Sequence, residues 1–251
     1  MEKKQMLDQL LRWRYAHRGF HHKPDVAENS MTAFRRAVTE EFGIELDVHL
    51  TKDKKLAVIH DSSLQRTCGT DLYIEEVTLE KAQSYFLEKS KDVIPSFEEV
   101  LCAVGGKVPM IIEIKPAGHN NKELTDAVMT ALEGYKGLYC IESFSPSVVG
   151  YLRSKYPEII RGQLAGCLRR DKAQKKSVNL LEDFLLKNLI VNLDGKPDFV
   201  AYRFEDRDMK PFVKFKGAKF MWTIRDYADL KVCEKSGAAG IFEQFNPKDY
   251  Q

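Results

Sequence analysis

Little in this sequence points to an exported, membrane-spanning or nucleic-acid-binding protein. Five cysteines are scattered over 251 residues, Cys68, Cys102, Cys140, Cys167 and Cys233, with no C-x-x-C pair. An odd, dispersed set of this kind is neither a disulfide framework nor a zinc site, and a reducing cytosol is its simplest setting. No stretch approaches the roughly 18 apolar residues of a membrane span. Near the start, charges interrupt Leu7-Asp8-Gln9-Leu10-Leu11-Arg12-Trp13-Arg14 before a signal-peptide core can form. The net charge of +2, from 39 basic against 37 acidic residues, gives no broad field for nucleic acid, so electrostatic selectivity must be local. Repeats, low-complexity tracts and linkers are also lacking. One domain over residues 1–251 is expected, a length common for a single α/β barrel.

What the sequence does have is alternation. Short β-prone runs recur at residues 14–16, 44–50, 56–59, 110–114, 139–141, 162–165, 199–202, 219–224 and 239–242, and helix-sized stretches at 31–41, 96–104, 122–135, 147–155, 178–192 and 227–236. Only Thr51-Lys52-Asp53-Lys54-Lys55 separates the second and third runs, too little for the crossover that parallel neighbours need, so these two form an antiparallel hairpin. Setting the hairpin's return arm aside leaves eight strands in βα alternation, the pattern of a TIM (β/α)8 barrel. Residues 61–95 fall outside the repeat and read as a small insertion at the C-terminal face of the barrel. If 51–55 is the hairpin tip, the return arm carries His60 back to the level of Glu45 and Leu46.

Charged residues gather where strands end, at His17-Arg18-Gly19, Glu45-Leu46-Asp47, His60-Asp61 and Glu113-Ile114-Lys115. Barrel strands are covered by helices outside and packed inside, so Glu45, Asp47 and Glu113 need compensation. Three carboxylates form a hard oxygen shell that suits Mg²⁺, Ca²⁺ or Mn²⁺ better than Zn²⁺; pairing of Glu113 with Lys115 is the simpler alternative. Asn29 or Ser30 reads as a helix cap, which leaves Glu28 unexplained. Trp222 suits the core or the mouth of a pocket equally. His21, His22, His49 and His119 stand in polar surroundings and read as solvated. A basic run at 169–176 precedes Leu180, Leu181 and Phe184; it reads as the approach to a barrel helix, or as a weak contact with an anionic membrane surface.

Taken in order, these segments resemble the glycerophosphodiester phosphodiesterase family. The matching residues are His17-Arg18-Gly19, Glu28-Asn29-Ser30, Glu45-x-Asp47-Val48-x-x-Thr51-x-Asp53, His60-Asp61-x-x-Leu64-x-Arg66-Thr67, Ile94-Pro95-Ser96-Phe97-Glu98-Glu99-Val100-Leu101, Glu113-Ile114-Lys115, Ser143-Phe144 and Trp222-Thr223. The resemblance implies a TIM barrel, a divalent cation on Glu45, Asp47 and Glu113, and His17 and His60 flanking the phosphate. It also implies phosphate contacts from Arg18 and Lys115, with Glu28 supporting the metal or His17. A glycerophosphodiester would be cleaved to glycerol 3-phosphate and an alcohol. A lysophospholipase D-like activity and a catalytically silent phosphodiester-binding barrel are the alternatives. Hydrolysing an anionic diester requires charge neutralisation and protonation of the leaving alkoxide, which such residues supply. Glu142, just before Ser143-Phe144, is a further acidic strand-end residue for the metal or a substrate hydroxyl. The chain departs from the family where a Thr-Asp pair commonly ends the last strand, having Phe242-Glu243-Gln244 there, and at Cys68-Gly69-Thr70-Asp71, where a longer glycine-bearing turn is usual. No serine, threonine or cysteine belongs to the charged set, so the nucleophile is water or the glycerol hydroxyl next to the ester, and a cyclic phosphate is favoured.

Overall fold

Strand residues alternate faces, and here that alternation builds two apolar cores separated by one closed sheet. The computed structural model describes residues 2–170 and 179–250. In these the strands are β1 (Tyr15–Ala16), β2 (Gly43–Leu50), β3 (Leu56–Val58), β4 (Met110–Ile114), β5 (Tyr139–Ser143), β6 (Arg161–Ala165), β7 (Phe199–Arg203), β8 (Ala218–Ile224) and β9 (Ala239–Phe242). All but β3 pair in parallel, in the order β1-β9-β8-β7-β6-β5-β4-β2, and β1 closes the ring on β2. The hairpin arm β3 stands outside the ring, antiparallel to β2, with Val48 opposite Val58 and Leu50 opposite Leu56. The expected eight-stranded barrel with an extra hairpin strand is therefore the observed fold.

Outward-facing Ile44, Leu46 and Val48 of β2 and Met110, Ile112 and Ile114 of β4 are buried beneath the helices, each contributing about 1.5–3 kcal/mol of hydrophobic stabilisation. Inward-facing Tyr15, Ile111, Cys140, Leu164, Phe199 and Phe220 fill the lower barrel. Glycine at 162 makes that filling possible, because a Cβ there would come within 2.1 Å of the Phe199 ring. The surrounding helices carry local signals of their own. Helix Phe97–Val104 begins with a reciprocal cap, Ser96 Oγ accepting from Glu99 N at 3.1 Å and Glu99 Oε2 from Ser96 N at 2.7 Å. It buries Phe97, Val100, Leu101 and Val104 on one face and stops at Gly105, whose φ is +55°.

Helix Lys3–Leu10 was not expected from the sequence. It covers the N-terminal mouth of the barrel, where Leu10 is buried, Tyr15 Oη donates to the Leu10 carbonyl at 2.8 Å, and Met6, Leu7 and Leu11 pack on the inner core. Where a helix was expected over 178–192, the described residues form Leu180–Lys187 and then the short Asn192–Gly195. Asn188 turns its amide back onto the Phe184 carbonyl, and Leu189 sits at φ +56°, which ends helical geometry. The expected helix 122–135 is shorter, Asn121–Ala131. Of the basic run, residues 171–176 lie outside the described residues. The 61–95 segment has short helices and a small core of its own, Leu64, Ile74, Ala82, Leu87 and Ile94 against Ala57 and Ile59 of the hairpin arm. Among the described residues no helix is long and apolar enough to cross a membrane.

Candidate active site

The site is organised by one edge of β2. β4 runs along the other edge, from Ile44 to Val48. On the site edge β1 pairs only low, at Gly43 and Ile44, and β3 only high, at Val48 to Leu50. Between them the loop after β1 docks directly on β2: Arg18 N donates to Glu45 Oε2 at 2.9 Å and Gly19 N to the Glu45 carbonyl at 3.2 Å. Gly19 holds φ +78°, and a Cβ on it would lie 2.9 Å from the Ala33 side chain, so the tight exit requires glycine. Above, Ile59 N donates to the Asp47 carbonyl at 3.1 Å. His60 thus arrives opposite Leu46, the level expected from the hairpin.

Register aligns the acidic residues around the wall, Asp47 beside Glu113 and Glu113 beside Glu142. Glu45, Asp47 and Glu113 are buried, and their carboxylate oxygens lie within 4.8 Å of one another; among the described residues this is the one group of its kind. Lys115 Nζ sits 2.9 Å from Glu113 Oε1 and 3.1 Å from Asp47 Oδ1. Both sequence alternatives therefore coexist, a shared acidic site and a Glu113–Lys115 pair. The Asp47 Oδ1 contact lacks hydrogen-bond geometry, which leaves that buried oxygen without a hydrogen-bond donor. Burial and the charge of Asp47 push Glu45 well above the usual carboxylate range. Burial pushes Glu113 up to about 7, with Lys115 opposing and Asp47 adding. Asp47 resists burial and is held low by Lys115, His60 and Arg18. A hard-oxygen donor set in which only one carboxyl ionises readily is short of positive charge, and it fits a divalent cation.

Both histidines are oriented from behind. His17 Nδ1 lies 2.7 Å from Glu243 Oε2, Glu243 Oε1 accepts from Arg225 Nε at 3.0 Å, and His17 Nε2 faces Glu45 at 3.9 Å. His60 Nδ1 contacts Asp61 Oδ1, and Asp61 Oδ2 accepts from Arg66 Nε at 2.6 Å. A carboxylate on Nδ1 fixes the ring and directs Nε2 to the reaction side. Burial and then Arg18 lower the His17 pKa while Glu243 opposes; burial and Lys115 bring His60 down to about 4.

Several residues stand elsewhere than expected. Glu28 touches neither the acidic trio nor His17; it accepts from Arg18 at 2.7 Å, Lys23 at 2.6 Å and Arg66 at 2.6 Å, because the loop after β1 and the 61–95 segment converge on it. Ser30 is the helix cap, accepting from Ala33 N at 3.1 Å, whereas Asn29 turns inward and donates to Asp47 Oδ2 at 2.8 Å. His21 and His49 are buried rather than solvated. Burial and the neighbouring His17 bring His21 down to about 4. His49 is covered by the 61–95 segment, with Nδ1 2.8 Å from Glu75 and Nε2 3.1 Å from the His60 carbonyl. Glu243 and Asn29 were missed as site residues. The only trace of Glu243 in the sequence is its replacement of the usual end of the last strand.

These groups open onto a 290 Å³ cavity at the C-terminal end of the barrel. His17, Arg18, Glu45, His60 and Glu113 form its polar side, and Phe144, Leu164, Trp222 and Ile241 an apolar side. Trp222 serves both roles considered for it, since its Nε1 donates to the Ala201 carbonyl at 3.1 Å and its ring meets Phe144 edge-on at 5.6 Å while lining the cavity.

Residues 17–245 match the model of the Glycerophosphoryl diester phosphodiesterase family. A glycerophosphodiester phosphodiesterase of Bacillus altitudinis is 41% identical over 108 residues, 40% of this chain, and the match spans only 43% of that relative's length. One from Caldanaerobacter subterraneus subsp. tengcongensis is 29% identical over 248 residues, 90% of this chain and 91% of the relative. Among solved structures, a phosphodiesterase of Oleispira antarctica in complex with the product sn-glycerol-3-phosphate superposes with a TM-score of 0.79 over 96% of both chains at 18% identity. A family match that begins at His17, ends just past Glu243 and takes in every wall of the cavity settles the relationship: the chain belongs to the glycerophosphoryl diester phosphodiesterase family of phosphoric diester hydrolases.

Proposed function

We propose that this chain cleaves glycerophosphodiesters to glycerol 3-phosphate and an alcohol, with a divalent cation on Glu45, Asp47 and Glu113 and with His17 and His60 as the acid–base pair. The observation that carries the reading is the meeting of three buried carboxylates, within 4.8 Å of one another, with two imidazoles each backed by a carboxylate. When bound, a divalent cation there supplies charge neutralisation at the phosphoryl group and acidifies a coordinated hydroxyl. Arg18, fixed by Glu28, and Lys115 bind the phosphate oxygens. Trp222 and Phe144 pack against the carbon skeleton of the substrate and exclude water.

His60, held to about 4, is neutral at pH 7 and accepts the proton of the attacking hydroxyl. His17, whose protonated form burial and Arg18 disfavour and Glu243 favours, gives its proton to the departing alkoxide. With the glycerol hydroxyl next to the ester as nucleophile, a new P–O bond forms as the bond to the alcohol breaks. The resulting cyclic phosphate is opened by water with the histidine roles reversed. The five unpaired thiols suit a reducing compartment, the cytosol.

The test is turnover of several glycerophosphodiesters and a lysophospholipid by purified protein in chelator and after addition of Mg²⁺, Ca²⁺ or Mn²⁺. Activity lost in chelator and restored by one of these ions is expected. Full activity in metal-free protein would exclude the cation, and undiminished cleavage of a diester lacking the adjacent hydroxyl would exclude the cyclic route.

A further inference from the structure

Glu142 on β5 is a side chain the reading above leaves without a task. It is 1% exposed, its Oε2 has no hydrogen-bond partner, and it lines the catalytic cavity. It stands outside the group of carboxylates close enough to share one ion. Its register neighbours are Glu113 on one side and Gly162, which offers no side chain, on the other. Phe144, two residues on, faces the same cavity. A buried carboxyl oxygen with no partner costs about 1–3 kcal/mol, and no described residue supplies one, so the partner is a molecule in the cavity.

The order of groups around the wall indicates which donor. Arg18, beside β1, marks the phosphate end; Asp47 and Glu113, bridged by Lys115 at the end of β4, follow on β2 and β4; Glu142 is one strand farther round, before the apolar side. A glycerol esterified at the phosphate end then sets its adjacent hydroxyl against Asp47 and Glu113. Its terminal hydroxyl falls one strand on, a step of about 4.8 Å at the backbone that narrows toward the barrel axis. We propose that Glu142 is the receptor for the free terminal hydroxyl of the glycerol moiety, so that the site selects unacylated glycerophosphodiesters over 1-acyl lysophospholipids.

This inference rests on the phosphodiesterase reading and names its substrate class. In a 1-acyl lysophospholipid the terminal oxygen is an ester, with no proton to donate, and its acyl chain would have to pass Glu142. Sites built around a buried polar group reject analogues that leave it unpaired far more strongly than apolar pockets reject a change of size.

The experiment compares kcat/KM for glycerophosphocholine, for its 2-hydroxypropyl analogue, which keeps the adjacent hydroxyl and lacks the terminal one, and for 1-acyl lysophosphatidylcholine. Wild type should lose about 10- to 100-fold from the first substrate to the second, and more to the third. In Glu142→Ala the first two should fall within about threefold of each other, and in Glu142→Gln, whose amide oxygen still accepts, the ratio should be intermediate. Because each ratio is taken within one enzyme, partial unfolding of a variant cancels. A ratio unchanged in both variants, or equal use of the first two substrates by wild type, overturns the receptor while leaving the phosphodiesterase intact. Turnover of none of the three by wild type overturns both.

Discussion

In chelator, the acidic trio should make the protein less stable as pH rises. Glu113 is raised from 4.5 to about 7 in the folded chain. A carboxyl raised on folding contributes its stability fully below the unfolded value and loses it as pH climbs through the folded one. The window is therefore pH 4.5 to 7, and the loss is about 3 kcal/mol. Glu45, shifted in the same direction, deepens it. A divalent cation binds the ionised carboxylates, so its effect should be small at pH 5 and large at pH 8, where a concentration a hundredfold above Kd returns about 2.7 kcal/mol. Urea unfolding at pH 5, 6, 7 and 8, with chelator and with Mg²⁺ or Ca²⁺, measures both slopes. Groups outside the site contribute equally to the two series and drop out of their difference. Glu113→Gln should flatten the chelator series. A cation increment that is the same at pH 5 and pH 8 would refute a site made of these carboxylates.

His17→Ala and His60→Ala should each lower kcat by about two to four orders of magnitude, with circular dichroism and urea midpoints showing the variants folded; losses that only track the unfolded fraction would make the histidine structural. Glu243→Gln removes the charge behind His17, so kcat should fall about 10- to 100-fold and the alkaline limb of its pH profile should move to lower pH, whereas an unmoved limb would dissociate Glu243 from the proton donor. His21, held near 4 against an ordinary 6.5, should cost the fold about 3 kcal/mol as pH falls through that window and only the unfolded chain is protonated. His21→Gln should shift the acid-unfolding midpoint to lower pH, and an unchanged midpoint would mean the buried imidazole does not govern acid stability.

The parts of the site legible in the sequence are those set by short-range geometry. Charges in apolar runs flag Glu45, Asp47 and Glu113 because a barrel strand has no wet face, and a five-residue tip fixes how far back the hairpin carries His60. What the sequence hid depends on elements meeting from far apart. The His17–Glu243 pair joins residues 226 positions apart, and no local periodicity predicts it. Glu28 is surrounded by cations from its own loop and from the insertion, so its role follows from where that insertion folds back. His21 and His49 have polar sequence neighbours, yet each is enclosed by other segments, which hydropathy along the chain does not register. Helix Lys3–Leu10 hid behind its charges, because only Leu10 is fully buried while Met6 and Leu7 pack partly buried on the inner core.

The division of the β2 edge between β1 and β3 also bears on how the site comes into being during folding. Asp47 and His60 belong to one hairpin, a local unit whose closure demands little loop entropy, so this half of the site can form in an incomplete chain. The other half waits: β1 needs β9 beside it, and the imidazole of His17 finds its carboxylate only when the last strand closes the ring. A nascent chain therefore carries the hairpin half of the site, Asp47 with His60, before His17 has its carboxylate, and a complete site becomes a late signal that the barrel has closed.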